Sequence, residues 1–297
     1  MNITDLQREL VARGHSVTVD GNYGPETSQA VLALLQAGAH APLSDQDVQN
    51  AATKLGATPA HVRTVRDVEA AGAGYLNGLP KILFEGHIFS RLTRGRFDRT
   101  NPSISYPNWD RSKYPASQQG RYNQLLQAIG LDVDAAFSAA SYGAFQILGS
   151  NYKVCGFASP FEFVMAQCQS EGMQLNSFIN FVIGNHLDAA LRNGQWAVFA
   201  RGYNGTAYRS NGYDTKLAQA FAVESRHDAT VAAAAPPFTG AGKLTATVNL
   251  RDAPGGNILG TLAAGGFVNV IATTGDWSQV QLPTMTGYVA KQFVEKA

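Results

Sequence analysis

Between residues 230 and 243 the chain reads Thr-Val-Ala-Ala-Ala-Ala-Pro-Pro-Phe-Thr-Gly-Ala-Gly-Lys. Paired prolines lack the amide hydrogens that a helix interior or a sheet ladder needs, and the small residues around them offer little to bury. A single hydrophobic core cannot run through such a stretch, so folded units are expected on either side of it. Upstream, apolar residues recur mostly at helical spacing. Downstream, short β-type runs (245–250, 267–272, 277–282, 288–293) alternate with the turn signals Gly255-Gly256-Asn257 and Gly275-Asp276. The pattern predicts a mainly helical region followed by a small all-β barrel.

The upstream region divides again. Leu6, Leu10 and Val11 lie at helical spacing and stop at Gly14. A turn follows at Asp20-Gly21-Asn22-Tyr23-Gly24, and Pro25 opens a second helix whose apolar face is Val31, Leu34 and Leu35. Two helices make too small a core to stand alone, so a docking partner is expected. Beyond them Ser44 caps a helix with Val48, Ala51, Ala52 and Leu55 on one face, closed by Gly56, and Thr58-Pro59 opens another. Further helices are expected from Pro160, over 175–183 and 187–191, and from Trp196 toward Tyr203. Residues 90–119, rich in Arg, Asn, Pro, Ser and Tyr, lack helical periodicity and read as a long surface excursion. The resulting division is 1–38, 43–226, a linker at 227–243, and 244–297.

With a net charge of +1, the chain gives no reason to expect nucleic-acid or acidic-membrane binding. No apolar run is long enough to span a bilayer, and the first residues lack the charged and apolar regions of a secretory signal. Two cysteines form neither a disulfide scaffold nor a zinc framework. Cys168 falls on an apolar helical stripe and reads as a buried thiol; Cys155, before Gly156, is free to pair or stay reduced. The six histidines are scattered, with no His-Glu-x-x-His spacing, and no metal or organic cofactor is expected. A Cys-His peptidase would need an exposed, activated thiol beside His87 or His186.

One carboxylate stands out. On the helix opened by Thr58-Pro59 the apolar positions are Val62 and Val65, and Glu69 lies seven and four residues further on, along the same stripe. It also falls near the helix C-terminus, before Gly72 and Gly74, where the macrodipole disfavours negative charge. Burial and dipole both favour a protonated acid at neutral pH, the state a glycosidase needs in order to protonate a leaving oxygen. The structural alternative is a buried glutamate paired with Arg63 or Arg66. For the second group of a glycosidase, Glu85 ends the apolar run Ile82-Leu83-Phe84 and would stand at a cleft edge; the alternative is a structural carboxylate bonding the backbone or His87. Asp98 and Asp110 are further candidates within the polar excursion.

Several blocks of sequence carry resemblances. The opening residues Leu6-Gln7, Leu10, Gly14 and 20–27 (Asp-Gly-Asn-Tyr-Gly-Pro-Glu-Thr), with Ala30-Val31, resemble the peptidoglycan-binding domain family. Residues 43–226 resemble the phage-type N-acetylmuramidases of the lysozyme-like superfamily. The matching blocks are 68–76 around Glu69, 80–89 around Glu85, Ser141-Tyr142-Gly143-Ala144-Phe145-Gln146-Ile147, and Ala200-Arg201-Gly202-Tyr203-Asn204-Gly205. Ala70 departs from the serine many relatives carry there. Residues 248–254, Gly260, Leu262, Gly275-Asp276-Trp277 and Gly287-Tyr288-Val289 resemble bacterial SH3-like domains.

The resemblances imply a multidomain fold: a small α-helical peptidoglycan-binding domain, a mainly α lysozyme-like domain, and a small SH3-like barrel. They imply an endolysin, a monomer acting on peptidoglycan with Glu69 and Glu85 as catalytic groups. Tyr142, Phe145, Gln146, Tyr203 and Asn204 would line the sugar groove, and Asp20 and Tyr23 would contact the wall. They imply synthesis in a host cytoplasm, holin-type release, and cleavage of the β-1,4 bond between N-acetylmuramic acid and N-acetylglucosamine. A lytic transglycosylase and a non-catalytic wall-binding protein are the rival readings.

Overall fold

The computed structural model describes residues 1–234 and 239–297, the side chains of 229–234 excepted. The chain forms two compact units, Met1–Ala220 and Phe221–Ala297.

In the first unit, α1 (Ile3–Ala12) and α2 (Pro25–Gln36) are followed by α3 (Asp45–Leu55) and α4 (Pro59–Ala70). Asn2 and Ser44 each cap their helix in a reciprocal box with an aspartate three residues on. Leu6, Leu10, Val31, Leu34 and Leu35 belong to the same continuous core as Val48, Val62, Phe137 and Phe178. The separate N-terminal domain expected from sequence is therefore not a distinct body. Two helices cannot bury both their faces alone, and they meet that need by joining the larger core. Tyr23 marks the junction: a side-chain carbon on Gly130 would fall 2.7 Å from its ring.

After α4 the chain turns through Ala71 and Gly72, both at positive φ (50° and 76°). It then forms a hairpin, β1 (Tyr75–Leu76) with β2 (Leu79–Pro80). Asn77 and Gly78 sit at φ 54° and 73°, the two left-handed positions of a tight hairpin turn. Strand β3 (Ile82–Phe84) then pairs with β4 (Ala140–Tyr142), which pairs with β5 (Ile147–Leu148), all antiparallel. Around this small sheet pack α5 (Gly86–Leu92), α6 (Gln118–Ile129), α7 (Val133–Ser138), α8 (Pro160–Gln169), α9 (Glu171–Gly184), α10 (Asp188–Arg192) and α11 (Trp196–Asn204).

The excursion at 90–119 is tied down. Its Ile104, Ser105 and Tyr106 are buried. Asp98 accepts bonds from the Ser90 and Ser105 hydroxyls at 2.9 and 2.5 Å, which makes it an internal brace. Asp110, half-buried, caps the short turn Arg111–Lys113. Both cysteines are buried and reduced, with burial pushing the Cys155 thiol up to about 12.

Helix α12 (Tyr213–Ala234) runs through the first part of the expected linker, because alanine is the best helix former and no proline intervenes before residue 236. Residues 235–238, which include the proline pair, lie outside the described residues. Strand β6 (Gly240–Leu244) begins soon after. It joins a seven-stranded antiparallel sheet in the order β12-β6-β9-β10-β11-β7-β8, with β7 Val248–Arg251, β8 Ile258–Leu262, β9 Phe267–Thr274, β10 Trp277–Gln281, β11 Thr286–Ala290 and β12 Val294–Lys296. Alternate residues face inward, so Leu244, Val248, Leu250, Val268, Val270, Val280, Val289 and Val294 form a separate small core.

Candidate active site

Glu69 occupies the last turn of α4, one helical turn beyond the buried Val65. Its Oε1 accepts a 2.8 Å bond from the Asn204 amide, at the end of α11. Burial pushes its carboxyl up to about 7; the Asn204 bond and the charge of Lys216 on α12 oppose that rise. Its hydrogen-bond partner is thus Asn204, not an arginine on its own helix.

Glu85 follows β3 and precedes the first turn of α5, so strand and helix together fix its direction. Its Oε2 accepts a short bond from the Tyr114 hydroxyl and lies 3.4 Å from Nδ1 of His87. Burial raises the Glu85 carboxyl, while the Tyr114 bond lowers it. Burial and the charge of Arg91 lower the His87 pKa, favouring the neutral ring, so the contact with Glu85 is not an ion pair at neutral pH. Gly86 allows the Tyr106 ring to approach: any side-chain carbon there would fall 2.3 Å from it. Trp109, 56% exposed, packs against Tyr114 with ring centroids 6.3 Å apart.

The Tyr213 phenol, at the start of α12, is pushed up to about 12, first by burial and then by the charges of Glu69 and Glu85.

The 141–147 block forms β4, a turn and the start of β5. Gln146, half-buried at φ 46°, donates from Nε2 to the Lys81 carbonyl (3.1 Å) and the Gly143 carbonyl (2.8 Å). Three residues expected in the groove are elsewhere. Tyr142 is 1% exposed and donates to the Phe137 carbonyl; Phe145 is fully buried and stacks on Phe178 at 4.5 Å. Alternation along β4 turns Ala140 and Tyr142 inward, and the turn carries Phe145 beneath the sheet. Tyr203 is packed among Phe178, Phe181 and Phe199, and its hydroxyl bonds the Phe145 carbonyl at 2.6 Å. It supports the block from behind, while the neighbouring Asn204 reaches Glu69.

Asp20 and Tyr23 both have partners within the first unit. Asp20 accepts bonds from Gln7 and Asn22 and holds the turn between α1 and α2. Tyr23 is largely buried against Gly130, which pushes its phenol up to about 12. Asp20 stays exposed on that turn, while Tyr23 is turned toward the rest of the unit.

Two groups not anticipated from sequence brace the site from α9. Glu171, buried, accepts from the amides of Gly74 (2.6 Å) and Leu43 (3.1 Å). Gln174 accepts from Ala144 N and donates to the Gln167 carbonyl. Its amide fits between Gly74 and Gly143, where added side-chain carbons would fall 2.1 and 2.4 Å from it. The loop after Glu69 and the loop before Gln146 are thereby held by one side chain. A cleft of about 400 Å³ opens beside Glu69, lined among others by Asp67, Leu76, Lys81, Gln118 and Arg121.

Comparison with known proteins gives the family. No curated protein matches the chain. Among solved structures, the crystal structure of the Burkholderia AP3 phage endolysin is 36% identical, covering 76% of this chain and 95% of its own, with a TM-score of 0.56. Residues 246–295 match the bacterial SH3 domain. Residues 58–224, more than half of the chain, match the N-acetylmuramidase family, with all four blocks inside the match. The chain belongs to the N-acetylmuramidase family and is a peptidoglycan hydrolase of the lysozyme type.

Proposed function

We propose that the chain is a phage endolysin that hydrolyses the β-1,4 bond between N-acetylmuramic acid and N-acetylglucosamine, with Glu69 as the proton donor. The observation that carries this reading is a carboxyl raised to about 7, held by Asn204 at the edge of an open cleft. Such a group is protonated often enough at neutral pH to give its proton to the leaving oxygen, and it ionises readily afterwards. Glu85, oriented by Tyr114, serves as the second carboxylate and acts once ionised, by holding water or stabilising the developing positive charge. Gln146 and Asn204 supply amide contacts to the sugar, as the family resemblance suggests.

The helical pair at the N-terminus and the SH3-like unit act as wall-binding surfaces, working on a monomer that reaches the wall after holin-type release. The support is the intact turn motif at 20–27 and the bacterial SH3 match. The test is digestion of purified sacculi by the full chain and by Glu69→Gln, followed by mass spectrometry of the soluble products. Hydrolysis adds one water per cleavage and leaves reducing ends. A 1,6-anhydro product, or wild-type release by Glu69→Gln, overturns the reading.

A further inference from the structure

The cleft beside Glu69 carries two cations that the proposed proton transfer does not use. Lys81 follows the β1–β2 hairpin and donates from Nζ to the Ala70 carbonyl at 2.7 Å. Arg121, on α6, donates from Nε to the Pro115 carbonyl and from Nη1 to the Ile82 carbonyl, both at 3.2 Å. Carbonyl oxygens fix both side chains without neutralising them, and among the described residues neither forms an ion pair with a carboxylate. Asp67, on the same lining, lies 3.8 Å from the Arg66 guanidinium.

The remaining lining is apolar or neutral. Leu76, 46% exposed on the hairpin, Val68 and Ala116 provide small hydrophobic contacts, and Gln118 is held by the Pro80 carbonyl. Fixed, unneutralised cations beside short apolar side chains suit an anionic peptide of small residues. The polymer this enzyme cuts bears such a group next to the scissile bond, as peptide stems on its lactyl side chains that contain alanine and free carboxylates.

We infer that Lys81 and Arg121 bind a carboxylate of the peptide stem, so that the enzyme reads the stem as well as the sugar. The inference rests on the muramidase reading above.

The test measures muropeptide release against substrate concentration, using the full chain on three substrates: native sacculi, sacculi whose carboxylates are converted to primary amides with carbodiimide and ammonia, and glycan strands stripped of stems by an amidase. Amidation is expected to raise the wild-type KM about fivefold, the size of a partly solvated charge contact. Stripped strands, which expose only the lactyl carboxylate, should resemble the amidated substrate. Arg121→Gln and Lys81→Met should raise KM on native sacculi by a similar factor and respond no further to amidation, whereas Arg121→Lys should keep most of the discrimination. A wild-type KM unchanged by amidation overturns the inference. So does a variant that loses equally on native and amidated sacculi, which marks a structural role, or stripped strands that bind like native ones, which assigns the cations to the lactyl group. Failure to release muropeptides from any substrate would instead remove the muramidase reading.

Discussion

The amide of Asn204 donates to the carboxyl of Glu69 across 2.8 Å, joining positions 135 residues apart. This bond stabilises the charged form of an acid that burial holds neutral. Asn204→Ala should therefore raise the Glu69 pKa further and move the alkaline limb of kcat/KM upward, by about half to one pH unit. Activity at the optimum should also fall, by about tenfold, because the acid loses its orientation. A pH–rate profile of the variant checks both, and a limb that moves downward would contradict the assignment.

Glu69 also sets a pH dependence of stability. Its carboxyl titrates near 7 when folded and near the ordinary 4.5 when unfolded, so the native state binds more protons between those values. Stability is thus lost as pH rises through that window. Glu69→Gln removes the penalty. The variant should match the parent at pH 4 and exceed it at pH 8 by on the order of 1–2 kcal/mol, while losing at least about a thousandfold in lysis. Thermal unfolding at the two pH values is the measurement.

Tyr114 holds Glu85 by a bond that lowers its pKa against burial. With Tyr114→Phe that opposition is lost and the Glu85 pKa rises. If Glu85 acts as the ionised partner, the acidic limb of the rate profile moves to higher pH, and kcat drops about tenfold or more. An acidic limb that stays in place would mean that Glu85 does not titrate in the reaction.

Gln174 is wedged between Gly74 and Gly143. Gly74→Ala should displace its amide and destabilise the protein by about 2 kcal/mol, since overpacking and a broken buried bond act together. Combining it with Gln174→Ala should recover part of that loss, because the clash disappears with the side chain. Denaturant unfolding of the two single variants and the double variant measures the coupling, which should be at least about 1 kcal/mol. Additive losses would show that the two residues do not share the space.

Much of this molecule follows from local pattern. The 3.6-residue spacing in Leu6–Leu10 and Val62–Val65–Glu69, and the two-residue alternation after residue 244, determine which segments become helix and strand. The position of Glu69 on an apolar stripe at a helix end already marks it as an acid under tension. A signal for the hairpin beside it was also present, in Asn77-Gly78, since few other pairs accept two left-handed residues in succession.

What tertiary structure decided are contacts between distant, aperiodic segments. Whether an aromatic in the 141–147 block faces substrate or core depends on the register of β3 with β4, which sends Tyr142 and Phe145 inward. Whether α1 and α2 form a domain depends on an apolar surface supplied by the rest of the first unit. Asn204 on Glu69, Tyr114 on Glu85 and Glu171 under Gly74 are single polar bonds spanning 135, 29 and 97 positions. Side chains of those types are common on any surface. Only the folded backbone selects which of them meet, and the chemistry of the carboxyl at Glu69 depends on that selection.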